Sequence, residues 1–222
     1  MAERRQYSSG LRAEQTALTR RRILEAAGRL FTESGYLGTT LAAIAGAAEV
    51  SVQTVYNVVG GKPVILKAVY DIVLAGDDEP VPMAERPVFQ ALIAATDART
   101  CLARYAEMAR IIGERTLPLL TLLLSQAATG DSELRAFTDT TESERGIGCG
   151  MTAQLVTERF GLRPGLDQQG AADVLWALTS PDLADRLVNR RGWGWDRYQE
   201  WLATTMADSL TGPGAPHSSH PA

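Results

Sequence analysis

In the stretch TRRRILEAAGRLFTESGY, the apolar residues Ile23, Ala26, Ala27, Leu30 and Phe31 recur at i, i+3, i+4, i+7 and i+8. That spacing winds them onto one face of an α-helix and leaves Arg21, Arg22 and Arg29 off the stripe. The same period returns along nearly the whole chain, whereas the alternation that marks strands is almost absent. The expected fold class is therefore all-α. At 222 residues the chain can bury a core without disulfide or metal staples.

Local signals divide the helices. Thr19 can cap the start of the first and Gly35 can end it. GTTLAAIAGAAEVSVQTVYNVVGGK reads as two short helices in tight succession. Thr39 or Thr40 caps one over about 41–48, and Ser51 caps the other over about 52–58. Ile44, Ala45, Ala48, Val50, Val55 and Val58 supply a small shared core, and this spacing is that of a helix-turn-helix. The second helix carries Gln53, Thr54, Tyr56 and Asn57, and isolated helices shorter than about 12 residues are marginal in water. Its polar face needs a partner outside the helix. Gly60 and Gly61 stop it, and Pro63 fits the first turn of a helix reaching about Ala75. GDDEPVPMAERP is a linker by its prolines and acids. Beyond it, helices are expected at 86–97, 99–114, 116–129, 132–160, 167–179, 182–190 and 195–211. Gly130, Gly161 and the prolines Pro118, Pro164 and Pro181 punctuate them, and Gly146, Gly148 and Gly150 make 132–160 a place for a break.

Charge separates the first third from the rest. Residues 1–70 carry nine basic and five acidic side chains, while the whole chain has a net charge of −4. A basic segment on an acidic body points to a polyanion that meets only that segment. Several function classes find no support. Cys101 and Cys149 lack metal-ligand spacing and read as buried thiols of a reducing compartment. The two histidines, His217 and His220, lie in the Gly/Pro/Ser segment GPGAPHSSHPA, which reads as disordered. No catalytic residue, metal site or cofactor is expected, and the second half has neither a paired-carboxylate motif nor a phosphate loop. The charged start MAERRQYSSG is no signal peptide, and no apolar run is long enough to span a bilayer, so a cytoplasmic protein with no membrane partner is expected.

The arginine-bearing helix, then GTT, then LAAIAGAAEVSVQTVYNVVGGKPVILKAVYD, resembles the N-terminal DNA-binding domain of the TetR family of bacterial transcriptional regulators over residues 17–75. The resemblance rests on several marks in order: the threonine-capped helix after a glycine, the alanine-rich support helix, V-S-x-x-T-x-Y, and G-x-K at the next helix. It implies an N-terminal three-helix helix-turn-helix domain followed by a helical-bundle domain for ligand binding and dimerisation. The corresponding layout is a flexible basic arm at 1–16, the DNA-binding domain at 17–75 and a linker at 76–87. An effector-binding and dimerisation domain follows at 88–211, and a disordered tail at 212–222. It further implies a homodimeric repressor on double-stranded DNA, bound to a palindromic operator and released by a small, largely apolar effector. The linker and the helix before it are the expected levers of release.

The candidate DNA-binding residues are Thr40, Ser51, Gln53, Thr54, Tyr56, Asn57 and Lys62. Gln53 can pair bidentately with adenine and Thr54 can touch a base edge or a thymine methyl. By family analogy Tyr56 and Thr40 would reach phosphates, and Lys62 would add its charge there. Arg20, Arg21 and Arg22 are either a DNA-facing or a merely solvated face; Arg4, Arg5 and Arg12 are a minor-groove arm or a tail. The sequence departs from the family at Glu49, where many members have glycine, and at Val58 and Val59, where an aromatic is usual. A non-glycine residue at positive φ in that turn costs on the order of 1 kcal/mol.

Candidate effector-pocket residues are Tyr105, Met108, Ile112, Leu123, Phe137, Met151, Leu155 and Trp176, chosen as bulky side chains on middle helices. Gln126, Thr152, Gln154 and Arg104 are candidate polar groups beside them. The expected dimer seam is Val174, Leu175, Leu178, Trp201, Leu202, Thr205 and Leu210, on the last two long helices, where Trp176, Trp193, Trp195 and Trp201 also crowd. The competing reading is an α-helical ligand carrier, or a member of the same architecture that does not bind DNA. Steep salt dependence of DNA affinity separates the two.

Overall fold

The computed structural model describes residues 2–128 and 130–212, with side chains from residue 12 onward. Among these residues it is helical, with no strand. The expectations for His217 and His220, and for all of the tail but Gly212, lie outside the described residues. The chain forms two compact units. The first comprises residues up to Glu79 together with Pro118–Asp139, and the second comprises Pro80–Leu117 together with the chain from Thr140.

The first unit contains α1 (Ala2–Gly38), α2 (Leu41–Ala47), α3 (Val52–Val58) and α4 (Lys62–Ala75). The expected start of α1 at Thr19 is not a helix start. The helix is already formed there, and the Thr19 hydroxyl donates back to the Gln15 carbonyl at 2.8 Å. Residues 12–16 are good helix formers and extend α1, so the backbone there is helix where a flexible arm was expected. Gly35 does interrupt α1, at φ 72° and ψ 169°, and a further helical turn follows it. Ile23, Ala26, Ala27 and Phe31 are buried, as their spacing requires, with Leu30 at the edge of the core. Ile44, Ala45, Ala48 and Val55 close the helix-turn-helix core, with Val50, Val58 and Val59 packed partly against it.

The same unit takes in the end of one long helix, α6 (Ala98–Ala127), and the start of another, α7 (Ser132–Phe160), joined by short α5 (Pro87–Ile93) to the preceding chain. Leu119, Leu120, Leu123, Leu134 and Phe137 enter its core, and the Tyr70 and Phe137 rings meet edge to face at 5.4 Å. A boundary drawn at the linker misses this contribution of residues 118–139.

The second unit is built on the remainder of α6 and α7 with α8 (Gln168–Leu178), α9 (Pro181–Ala184) and α10 (Trp195–Thr211). The helices expected at 99–114 and 116–129 are one. Pro118 stands inside α6 and costs the bond its missing N–H would have given, without ending the helix. The break considered near Gly146, Gly148 and Gly150 does not occur either, because α7 is continuous. The helix expected at 182–190 is the short α9, capped by the Ser180 hydroxyl and continued by a π-helical turn over Asp185–Arg190. Leu102, Ala106, Ala153, Val156, Leu175, Leu202, Met206 and Leu210 are fully buried in this core, and Cys101 and Cys149 are free, buried thiols. Three of the four tryptophans serve it as an aromatic cluster. Trp193 and Trp201 meet edge to face at 5.9 Å, and Trp195 meets Tyr198 at 5.6 Å. Gly113 makes room for Trp195, since a Cβ there would lie 2.9 Å from its ring. No described helix is long and apolar enough to cross a membrane.

Candidate nucleic-acid interface

The short α3 is fixed at both ends by its own sequence. The Ser51 side chain accepts from the Thr54 amide at 3.0 Å, capping the first turn, and its hydroxyl lies 2.8 Å from that of Thr54. Val55 is the one side chain of α3 that is fully buried. With that anchor inward, Gln53, Tyr56 and Asn57 point to solvent. The Gln53 amide donates to Asn57 Oδ1 at 2.9 Å, and Tyr56 is 52% exposed. Thr40 caps α2 by accepting from the Ala43 amide at 3.1 Å and is itself exposed. Of the seven expected DNA-binding residues, Thr40, Ser51, Gln53, Tyr56 and Asn57 are exposed and Thr54 is half-buried.

Lys62 is different. Its ammonium donates to the carbonyls of Tyr36 at 3.1 Å and Thr39 at 3.2 Å, and lies 4.0 Å from the centre of the Tyr36 ring. The Tyr36 carbonyl, in the last turn of α1, also accepts from the Thr39 amide at 3.2 Å, and Thr39 lies just past the helix end. Two of the three Lys62 donors are therefore used to tie α4 to the end of α1, where a freestanding phosphate charge was expected.

The turn between α2 and α3 confirms the strain at Glu49, which has φ 55°. Its carboxylate accepts from Arg22 Nη2 at 2.9 Å, although both side chains are well exposed. That pair offsets less than about 1 kcal/mol of the strain. It also withdraws one arginine from the basic face.

Three residues that support the interface have no local signature. Tyr36 is fully buried, and its hydroxyl donates to Glu133 Oε2 at 2.6 Å. Burial, reinforced by the hydrogen bond and the charge of Glu133, pushes the phenol pKa up, so this proton stays in place. Gln126 Oε1 accepts from the Tyr36 amide at 2.9 Å and the Leu37 amide at 3.4 Å, just after the Gly35 kink. The side chain expected to contact an effector is thus spent on the backbone of α1. Gly35 is legible as a helix-ending glycine, but the partners of Tyr36 lie some ninety residues away.

The pocket residues do not assemble as expected. Leu123 and Phe137 belong to the core of the first unit, where they are buried. Tyr105, Met108, Ile112 and Leu155 belong to the second, where the Tyr105 hydroxyl lies 3.3 Å from Cys149 Sγ. Met151 and Trp176 are 51% and 43% exposed, with the Arg145 guanidinium 4.6 Å over the Trp176 ring. Of the seam residues, Leu175, Leu202 and Leu210 are buried within their own unit and hold α8 against α10. Only Val174, Leu178, Trp201 and Thr205 keep part of their surface. An amphipathic stripe names a face that must be covered; here a neighbouring helix of the same chain covers most of it.

Comparison with known proteins agrees with this geometry. Residues 23–69 match the family model described as bacterial regulatory proteins, tetR family. No curated protein matches the chain. Among solved structures, NalD, the secondary repressor of the MexAB-OprM multidrug efflux pump in Pseudomonas aeruginosa, is similar at a TM-score of 0.63 and 24% identity, over 89% of this chain and 98% of that one. SmeT, solved as a triclosan complex, is similar at 0.66 and 20% identity, over 92% and 100% of the two chains. A TetR transcriptional regulator from Chloroflexus aurantiacus gives 0.60 and 19%, over 89% and 98%. At these identities the structures share a fold with this chain along nearly its whole length. Residues 23–69 thus match the tetR family of bacterial regulatory proteins, on a fold that the chain shares with these structures along nearly its whole length.

Proposed function

We propose that the protein is a homodimeric DNA-binding repressor that reads a palindromic operator with α3 and is released by a small, largely apolar effector. The observation that carries this reading is the solvent-facing edge of Gln53, Tyr56 and Asn57, held on a seven-residue helix by Ser51 and Val55. In a helix-turn-helix the second helix enters the major groove and its neighbours grip phosphates. Gln53 is the base-reading residue, with Thr54 beside it, and Thr40, Ser51 and Tyr56 are the phosphate-side donors. A twofold dimer places half-sites about one helical turn, or a small multiple, apart.

The effector site belongs to the second unit, among Tyr105, Met108, Ile112 and Leu155, and the partner copy packs on the half-exposed Val174, Leu178, Trp201 and Thr205. Its binding is coupled to DNA affinity by about 1–3 kcal/mol, a range typical of allosteric couplings. Gln126 and Glu133, at the ends of long α6 and α7, hold Tyr36 and so bear on the frame of the helix-turn-helix. The test is to incubate the purified protein with sheared genomic DNA at moderate salt and sequence the bound fragments. The reading requires enrichment of a palindrome; bound DNA with no shared sequence would overturn it.

A further inference from the structure

Gln53 is exposed on α3, so its side chain is not fixed by packing. A free glutamine amide can turn about its last torsion and exchange its carbonyl for its NH2 group. Here a hydrogen bond holds it. Nε2 of Gln53 donates to Oδ1 of Asn57, one helical turn further on, at 2.9 Å. That bond decides which base the amide can match. A glutamine amide has one acceptor oxygen and two N–H donors, and Asn57 takes one of the donors. One acceptor and one donor are left for the groove. Adenine offers their complement, the N7 acceptor and the N6 amino donor, whereas guanine offers two acceptors, N7 and O6. The held amide therefore pairs with adenine and sets its oxygen against guanine O6. Released from Asn57, the same amide can turn its NH2 group to guanine and lose the distinction.

The acceptor also suits a helix that meets a polyanion. Gln154 and Gln169 make the same bond one turn along their own helices, to Glu158 at 2.8 Å and to Asp173 at 3.0 Å. On α3 the acceptor is a neutral amide, and the helix, VQTVYNV, has no charged residue. A carboxylate at position 57 would hold Gln53 equally well, but its charge would face the phosphates of a bound duplex. Asparagine supplies the acceptor without the charge.

We propose that Asn57 is a positioning residue, which sets a preference for adenine over guanine by holding the Gln53 amide and reads no base of its own. The inference rests on the reading of α3 as the base-reading helix, and it assigns the base that this helix selects and the residue that enforces the choice.

The experiment measures the affinity of the full chain for single-base variants of the palindrome enriched from genomic DNA. Gln53→Ala first locates the position that Gln53 reads, where the wild type should prefer adenine. At that position Asn57→Ala should cut the preference for adenine over guanine about fivefold, with the preferences elsewhere unchanged. Asn57→Asp keeps the acceptor, so it should retain the preference while binding every sequence more weakly, most of all at low salt. A merely structural role for Asn57 would weaken all sequences alike in both variants. The proposal is overturned by a preferred base other than adenine at the Gln53 position, by an unchanged preference in Asn57→Ala, or by a loss at a different position. It is also overturned if Asn57→Asp loses as much preference as Asn57→Ala. Should Gln53→Ala leave every preference intact, the reading of α3 itself fails, and the proposal falls with it.

Discussion

The DNA-facing surface of the first unit and the expected effector and dimer surfaces of the second were approached through the same kind of pattern, yet they resolve very differently. In α3 a single residue, Val55, is fully buried, and the polar residues beside it turn outward as a matter of geometry. In the second unit, α6, α7, α8 and α10 pack among several neighbours each. A bulky apolar residue there can face any of them. Leu175, Leu202 and Leu210 turn into the core, while Met151 and Trp176 turn out of it. Side-chain direction can be read from sequence where a short helix buries a single residue and is ambiguous where a long one buries several faces.

The contrast can be broken most sharply in the second unit. Leu202→Asp places a charge in a fully buried apolar position, which costs more than about 4 kcal/mol. The expected outcome is loss of cooperative unfolding in calorimetry, whereas a folded monomer by sedimentation would return Leu202 to the dimer seam. In the first unit, Gly35→Ala combines positive φ with a Cβ 2.1 Å from Gln126 Nε2, and should cost about 3 kcal/mol. A thermal midpoint equal to the wild type would mean that the kink is not held by Gln126. Lys62→Met removes two charge-assisted hydrogen bonds, to the carbonyls of Tyr36 and Thr39, worth about 2 kcal/mol of stability. A variant as stable as the wild type but weaker on all DNA sequences alike would restore Lys62 to a purely phosphate-binding role. Smallest is Glu49→Gly, which relieves about 1 kcal/mol of backbone strain and frees Arg22. It should raise both the unfolding midpoint and non-specific DNA affinity; a fall in the midpoint would show that the ion pair outweighs the strain.

Helices α2 and α3, and the buried stripe of α1, were legible because their signals are written locally. Thr40 and Ser51 cap, Gly60 and Gly61 stop, and the stripe from Ile23 to Phe31 has one face to bury. The strained Glu49 was legible too, since the turn demands positive φ whatever residue occupies it. What escaped were ties across long stretches of chain. Nothing near Gln126 or Glu133 marks them as partners of Tyr36, and the ammonium of Lys62 was read as free because its acceptors are backbone carbonyls, which carry no residue signature. Pro118 misled for a physical reason: a proline removes one hydrogen bond, and a helix packed along its length can tolerate that loss.

The central claim is that α3 reads base sequence, and the direct measurement is the affinity of wild type and Gln53→Ala for a full set of single-base variants of the enriched operator. The account predicts that Gln53→Ala abolishes preference at one position in each half-site, by about 1–3 kcal/mol, and leaves the other positions unchanged. An unchanged preference at every position, or a uniform weakening across all of them, would contradict it.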